Sequence, residues 1–272
     1  MIPVYISNGC IVTRYNGRDF HLIPKYARQL PVDGVEFLMY YVWDDEVKEL
    51  RRFLRSSGIS FPVTHMDKQV GELLAESGLE HKEEILRWFR RDLATACELG
   101  SKKLVLHLWN GPCSDRNFDA ALDLFGELYE LADKEGILLT AENVACRENL
   151  CLTHLNDLLA KYPFARFTYD TKMAFLHGEN ELLGKPEWAH ILPAISHLHV
   201  NDSKMADIGG GRLPIMHIGD GVIDFDSFFA LLKERSFDGT ATIESTSVLE
   251  DGSVQIEKLT KSIETVRKGL NG

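Results

Sequence analysis

The 272 residues predict one closed (β/α)8 barrel, a single domain spanning 1–272. Short apolar runs alternate eight times with longer amphipathic ones, and no stretch carries the turn chemistry of an antiparallel hairpin. No GxGxxG follows the first run, which argues against an open, doubly wound sheet. The length suits one sizeable core.

The elements follow in order. A strand is expected in "VYISNG" (4–9), then a helix near 18–30; a second strand in "GVEFLM" (34–39), then a helix near 44–57. The third strand, "FPVTH" (61–65), precedes the clearest helix, 81–100, where Ile85, Phe89, Leu93 and Cys97 recur every four residues and Gly100 stops the run. "KLVLHL" (103–108) leads to a helix over 117–135, and "ILLTAEN" (137–143) to one over 151–161. "RFTYD" (166–170) is followed by a stretch, 172–193, interrupted by glycine and Pro186. "ISHLHV" (195–200) precedes a helix at 224–235, and "TATIES" (240–245) one at 253–269. "GGGR" (209–212) is expected as a hinge or lid tip.

Composition limits the function classes. The net charge of −11 makes non-specific nucleic-acid binding the less favoured expectation, since an acidic chain repels a phosphate backbone, and no nucleic-acid partner is expected. No apolar run approaches the roughly 20 residues of a membrane span, and no basic segment precedes the apolar residues 2–7. A soluble, cytoplasmic protein without a membrane partner is expected. The cysteines Cys10, Cys97, Cys113, Cys146 and Cys151 are odd in number and lack a CxxC pair, so they read as packing residues in a reducing compartment.

In such barrels the active site forms at the C-terminal ends of the strands. The last inward residues there are His65, His107, Glu142, Asp170, His199 and Glu244, on strands three to eight. Side chains alternate faces, so Thr140 shares a face with Glu142, Thr168 with Asp170, His197 with His199, and Thr242 with Glu244. Strand ends about 5 Å apart bring these groups to one point. Three carboxylates gathered there repel unless a cation neutralises them, so a divalent metal is expected; the Glu, Asp and His mixture suits Mn, Zn, Fe or Mg.

"HVNDSK" (199–204), "HIGDGVIDF" (217–225), "TAEN" (140–143), "YDTKMAF" (169–175) and "TIES" (242–245) together resemble the xylose isomerase-like TIM barrel superfamily of sugar-phosphate isomerases, ketose 3-epimerases and inositol-catabolism enzymes, with endonuclease IV a more distant relative. The resemblance implies one metal held by Glu142, Asp170, His199 and Glu244. Its endonuclease IV branch adds His65 and His107, with Glu142 shared, for a second metal. A third metal would need a His three residues after Asp170 and an Asp and a His in the loop after strand seven. Met173 stands at the first position and, with His217 aligned to the loop His, Ile215 stands where the Asp belongs. Cleavage of DNA is therefore not expected.

The expected activity is that of a metal-dependent isomerase or epimerase of a small sugar, sugar phosphate or polyol-derived substrate, moving a proton beside a carbonyl through an enediolate. The resemblance implies Glu142 and Glu244 as the acid and base on opposite faces of the substrate. A metal-dependent hydrolase or lyase remains the alternative enzyme, and a non-catalytic sugar-binding barrel the non-enzyme reading. Expected substrate contacts include His65, His107, Arg212 and His217. Lys204 is either an anion-holding cation at the rim or a solvated lysine, and Glu36 either a ligand for a substrate hydroxyl or a strand-end cap. Trp43 and Trp109 either stack on a sugar ring or pack in the core. His197 is expected below the metal, orienting its neighbours, with His81, His154 and His190 at the surface or on helices. A homodimer or homotetramer is expected, as is common for such barrels.

Overall fold

The computed structural model describes residues 1–110, 115–205 and 214–272. Eight parallel strands close into a barrel in chain order. They are β1 (Val4–Ser7), β2 (Val35–Leu38), β3 (Val63–His65), β4 (Lys103–Leu106), β5 (Leu138–Glu142), β6 (Arg166–Asp170), β7 (Ile195–Val200) and β8 (Thr240–Ile243). β8 closes on β1 with Val4 opposite Ala241 and Ile6 opposite Ile243. Each strand lies inside its expected run.

The helices are α1 (Leu22–Ala27), α2 (Val47–Ser56), α3 (Gln69–Ser77), α4 (Lys82–Leu99), α5 (Phe118–Lys134), α6 (Cys151–Lys161), α7 (Thr171–Leu176), α8 (Glu179–Leu182), α9 (Phe225–Glu234) and α10 (Ile256–Asn271). α4 ends at Gly100, whose φ of 77° is the left-handed cap that its sequence position suggested. Three departures have local causes. The expected helix over 18–30 shrinks to α1, because Arg18 sits at φ 51° and breaks the helical path. The interrupted stretch after β6 holds two short helices, α7 and α8. α3 was not anticipated: a glycine in a nine-residue segment masks its pattern, yet a Cβ on Gly71 would come within 2.5 Å of the His107 carbonyl oxygen.

The principal core lies between the outer face of the barrel and the helices. α10, for instance, buries Leu259, Ile263, Val266 and Leu270, spaced four, three and four residues apart. Each such side chain contributes roughly 1.5–3 kcal/mol relative to exposure. Trp43 and Trp109 belong to this core, with Trp43 against Phe37 and Tyr40 and Trp109 against Phe118. Cys10, Cys146 and Cys151 are buried as expected, but Cys97 is exposed, because it lies on the outer side of α4. Cys113 lies outside the described residues. No described helix is long and apolar enough to cross a membrane.

The barrel interior has a different chemistry. Tyr5, Val63 and Val105 form a small apolar cluster of their own. Lys103 extends from the start of β4 to donate to the Ser196 carbonyl (2.6 Å) and to Thr240 Oγ1 (2.8 Å), and burial lowers its pKa to about 8. Above them the inward positions are polar.

After β7 the chain makes a stem. Asp202 and Met216 exchange two backbone hydrogen bonds, of 3.2 and 2.8 Å. The Asp202 carboxylate accepts the amides of Ser203, Gly219, Gly221 and Ile223 at 2.8–3.2 Å. Gly221 is required here, since a Cβ would lie 2.2 Å from Asp202 Oδ1.

Candidate active site at the barrel mouth

Each inward strand end brings one polar group to the mouth, and the parallel register puts the groups side by side. Asp170 pairs with His199 across the β6–β7 ladder, and Glu142 pairs with Thr168 across β5–β6. One ligand atom from each of Glu142, Asp170 and His199 lies within 4.8 Å of the others, all three residues being buried. His65, His107 and Glu142 form a second such group, and Glu36, His197 and His199 a third. Glu142 and His199 each belong to two of the three.

The hydrogen bonds separate ligands from supports. Glu142 Oε2 lies 3.1 Å from His65 Nε2 and 2.9 Å from His107 Nε2, so two imidazoles share one oxygen. His199 Nε2 is 2.9 Å from Glu36 Oε1, while Glu36 Oε2 meets His197 Nε2 at 2.8 Å and Thr242 Oγ1 at 2.6 Å. Glu36 is completely buried, and its two oxygens hold the two histidines of β7 and Thr242. His197 occupies the layer below His199, and its Nδ1 lies 2.7 Å from Thr240 Oγ1.

With Nε2 held by Glu36, His199 presents Nδ1 toward the mouth. That atom is buried, has no hydrogen-bond partner, and lies 3.3 Å from Glu142 Oε1. An orphaned imidazole nitrogen beside two carboxylates is the donor set of a divalent cation. The donors Glu142, Asp170 and His199 therefore fit the metal expected from the sequence. Glu36 completes a carboxylate–histidine pair of the kind that fixes the tautomer of a metal-binding imidazole.

Asp170 is positioned by residues that sequence reasoning had not singled out for this task. Its Oδ2 accepts from Asn201 Nδ2 (3.0 Å), its Oδ1 from the Met173 amide (2.8 Å), and its own amide donates to Asn143 Oδ1 (2.5 Å). The available signal was an amide side chain one or two residues after a strand-end carboxylate or histidine, in "EN" and "HVN". Lys172 is also nearly buried, and its ammonium finds only the Met173 sulfur, at 3.8 Å.

Electrostatics divides the carboxylates. Burial alone would raise Glu36 and Glu142, but His199, with His197 beside Glu36 and His107 beside Glu142, holds both well below the usual carboxylate range. Burial would lower His199, yet Glu36, Glu142 and Glu244 keep it well above its ordinary value. Of the two imidazoles on Glu142 Oε2, burial pushes His107 down to about 4, while Glu142 outweighs burial at His65 and raises it. Glu244 is raised, first by burial and then by Glu142 and Asp170, despite the opposing pull of His199.

The remaining expected residues fall elsewhere. Glu244 follows β8, its amide bonded to the Val200 carbonyl at 3.1 Å, but it does not come within 4.8 Å of all three of Glu142, Asp170 and His199. His217 is buried between Ser247 and Ser262, with Lys258 and Asp220 as its charged neighbours, so the fold turns it toward α10 rather than into the groups of the mouth. Lys204 is exposed. Arg212 and the "GGGR" stretch lie outside the described residues. Met173 supplies its amide to Asp170, and Ile215 is exposed, so neither offers a metal donor. His81 and His190 are exposed, but His154 is buried on α6, stacked on Phe118 at 3.7 Å, because its helix turns that face toward Trp109.

The sequence profile of the xylose isomerase-like TIM barrel family matches residues 24–268. No curated protein sequence matches the chain. Among solved structures, a D-tagatose 3-epimerase-like protein is 20% identical with a TM-score of 0.72, over 99% of this chain and 97% of that one. A D-allulose 3-epimerase from Methylomonas sp. is 16% identical with a TM-score of 0.74, over 99% and 98%. The IolI protein with a bound zinc atom is 15% identical with a TM-score of 0.71, again over 99% and 98%. At these identities the likeness is one of fold.

Proposed function

The chain belongs to the xylose isomerase-like TIM barrel family, and from that premise we propose that it is a divalent-metal-dependent isomerase or epimerase of a small sugar or sugar-derived substrate. The observation that carries this reading is the buried, unpartnered Nδ1 of His199 facing Glu142 and Asp170. The structural neighbours that are sugar epimerases support it at the level of fold. Glu142, Asp170 and His199 would hold the cation, which would supply Lewis acidity to a substrate carbonyl and its adjacent hydroxyl.

The acid–base work falls unevenly on the two glutamates. Glu142 gives one oxygen to His65 and His107 and the other to the side of His199, which leaves it little freedom to move a proton. The Glu244 carboxylate has no hydrogen bond fixing it among the described residues, and burial, with Glu142 and Asp170, raises its pKa. Environments that push two carboxylates apart in this way equip a site with an acid and a base. Glu244 therefore carries the proton at the carbon beside the carbonyl, and Glu142 serves the opposite face from a fixed position.

The experiment that tests this reading incubates metal-loaded protein with a panel of ketoses and sugar acids in deuterated water. Deuterium should enter one carbon next to a carbonyl, in protein carrying one metal at the mouth. A second reading draws on the His65–His107–Glu142 group, which suits a second cation of a two-metal hydrolase. A second metal that is lost on His65→Ala, no exchange with any sugar, and nicking of abasic DNA would establish that reading instead.

Support for His199 can be measured separately. Glu36→Gln should weaken divalent-metal affinity by about 10- to 100-fold, the usual effect of losing a carboxylate behind a ligating histidine. Competition against a chromophoric chelator reads this directly, and an unchanged affinity would mean that His199 keeps its orientation without Glu36.

A further inference from the structure

A second set of metal-type donors lies outside the mouth. Asp115, between β4 and α5, meets Cys146, between β5 and α6, and His154, on the first turns of α6. One ligand atom from each lies within 4.8 Å of the others. His154 and Cys146 are 3% and 5% exposed.

Three features suggest that something more than packing holds this cluster. Among the described residues neither buried nitrogen of His154 makes a well-aligned hydrogen bond, although Nε2 is 3.2 Å from Asp115 Oδ1 and the ring adjoins the Cys146 thiol. A buried imidazole set between a carboxylate and a thiol, without a well-formed hydrogen bond to either, is placed to share a cation with both. The ring cannot swing out to find one, being stacked on Phe118 at 3.7 Å and edge-on to Trp109 at 5.1 Å.

Asp115 is fixed in advance. Its Oδ2 accepts the amides of Arg147 (2.7 Å) and Glu148 (2.8 Å), and its Oδ1 accepts from Asn149 Nδ2 (3.1 Å). These bonds tie the β5–α6 connection to the segment leading into α5 and leave lone pairs on Oδ1 for a further partner. The Cys146 thiol donates weakly to the Val144 carbonyl at 3.5 Å, where Cys151 Sγ also arrives at 3.1 Å. Its pKa falls to about 6, chiefly through Cys151 and then His154, which favours the thiolate that binds metal.

We propose that Asp115, Cys146 and His154 form a binding site for a borderline-soft divalent cation, zinc above all, separate from the group at the mouth. One thiolate, one imidazole and one carboxylate match zinc and its spectroscopic surrogate cobalt, and do not suit magnesium or calcium, which take oxygen donors. The cation would cross-link the loops that follow β4 and β5. Val144, whose carbonyl also accepts the Trp109 indole N–H at 2.7 Å, is two residues beyond Glu142, so the site would brace the segment leaving the mouth.

The mouth groups contain no sulfur, so cobalt distinguishes the two sites. Metal-stripped wild-type protein titrated with Co2+ should develop thiolate-to-cobalt charge-transfer absorption in the near ultraviolet, with an amplitude of one thiolate-bound cobalt per chain at saturation. Asp170→Asn should keep that band, and Cys146→Ser should lose it. His154→Gln should weaken the cobalt that gives the band by about tenfold or more. A second readout needs no variant: Zn2+ should slow iodoacetamide labelling of Cys146 in the wild type by about tenfold or more, read by mass spectrometry, while the exposed Cys97 labels at its unprotected rate. Absence of the band at saturating cobalt, a band that survives Cys146→Ser, or equal labelling of Cys146 with and without zinc would overturn the site.

Discussion

Asp170→Asn should cost the protein its mouth metal, with affinity falling by more than about a hundredfold, beyond the range seen for residues one layer behind a ligand. Sugar-proton exchange should disappear with it. Asp170 stands at the end of β6 between the Met173 amide and the Asn201 side-chain amide. Asparagine can still accept from Met173, but its NH2 would then face the NH2 of Asn201. Asn201 cannot simply turn over, because its Oδ1 already accepts from Thr171 Oγ1 (3.2 Å) and the Lys172 amide (3.0 Å). The variant thus combines a lost charge with a donor–donor contact, and its melting temperature should fall by an amount corresponding to about 1–3 kcal/mol. Elemental analysis of metal-replete preparations decides the matter: metal content equal to the wild type would remove Asp170 from the ligand set.

Glu244→Gln tests proton transfer rather than metal binding. Glu244 stands outside the three-residue metal group, so the variant should load metal nearly as the wild type does, while deuterium exchange falls by about 10²–10⁴-fold, the usual worth of a positioned acid or base. Glutamine keeps the size of the side chain while removing its charge and its capacity to titrate. Glu142→Gln should behave differently, losing exchange and metal together, because Glu142 is clamped by His65 and His107 and borders His199. A metal-loaded Glu244→Gln protein that exchanges at the wild-type rate would transfer the proton-carrying role to another group.

The barrel and its polar mouth were legible because both depend on local patterns. Period-two alternation marks the strands, and a titratable residue closing each strand from β3 onward marks the mouth. The support beneath the ligands was not legible. Glu36 meets His197 and His199 at separations of 161 and 163 residues, and only closure of the barrel brings β2 across from β7. His154 and Cys146 illustrate the same limit: a histidine on a short helix reads as a surface residue until the ring of Phe118 is known to cover it. Trp43 and Trp109 could be read as sugar platforms or as core, and their burial against Phe37, Tyr40 and Phe118 decides for core.

Asp202 makes the loop after β7 an exchangeable part. One carboxylate gathers amides from both sides of that loop, and the paired backbones of Asp202 and Met216 close it like a clasp. The clasp is complete without any residue between 204 and 215. Lengthening such a loop costs slowly, about 0.6 kcal/mol per doubling, so insertions and replacements there leave His199 and its neighbours where they are. A lineage built on this barrel can therefore trade one loop for another and sample new substrates, while the groups that carry the chemistry stay in place.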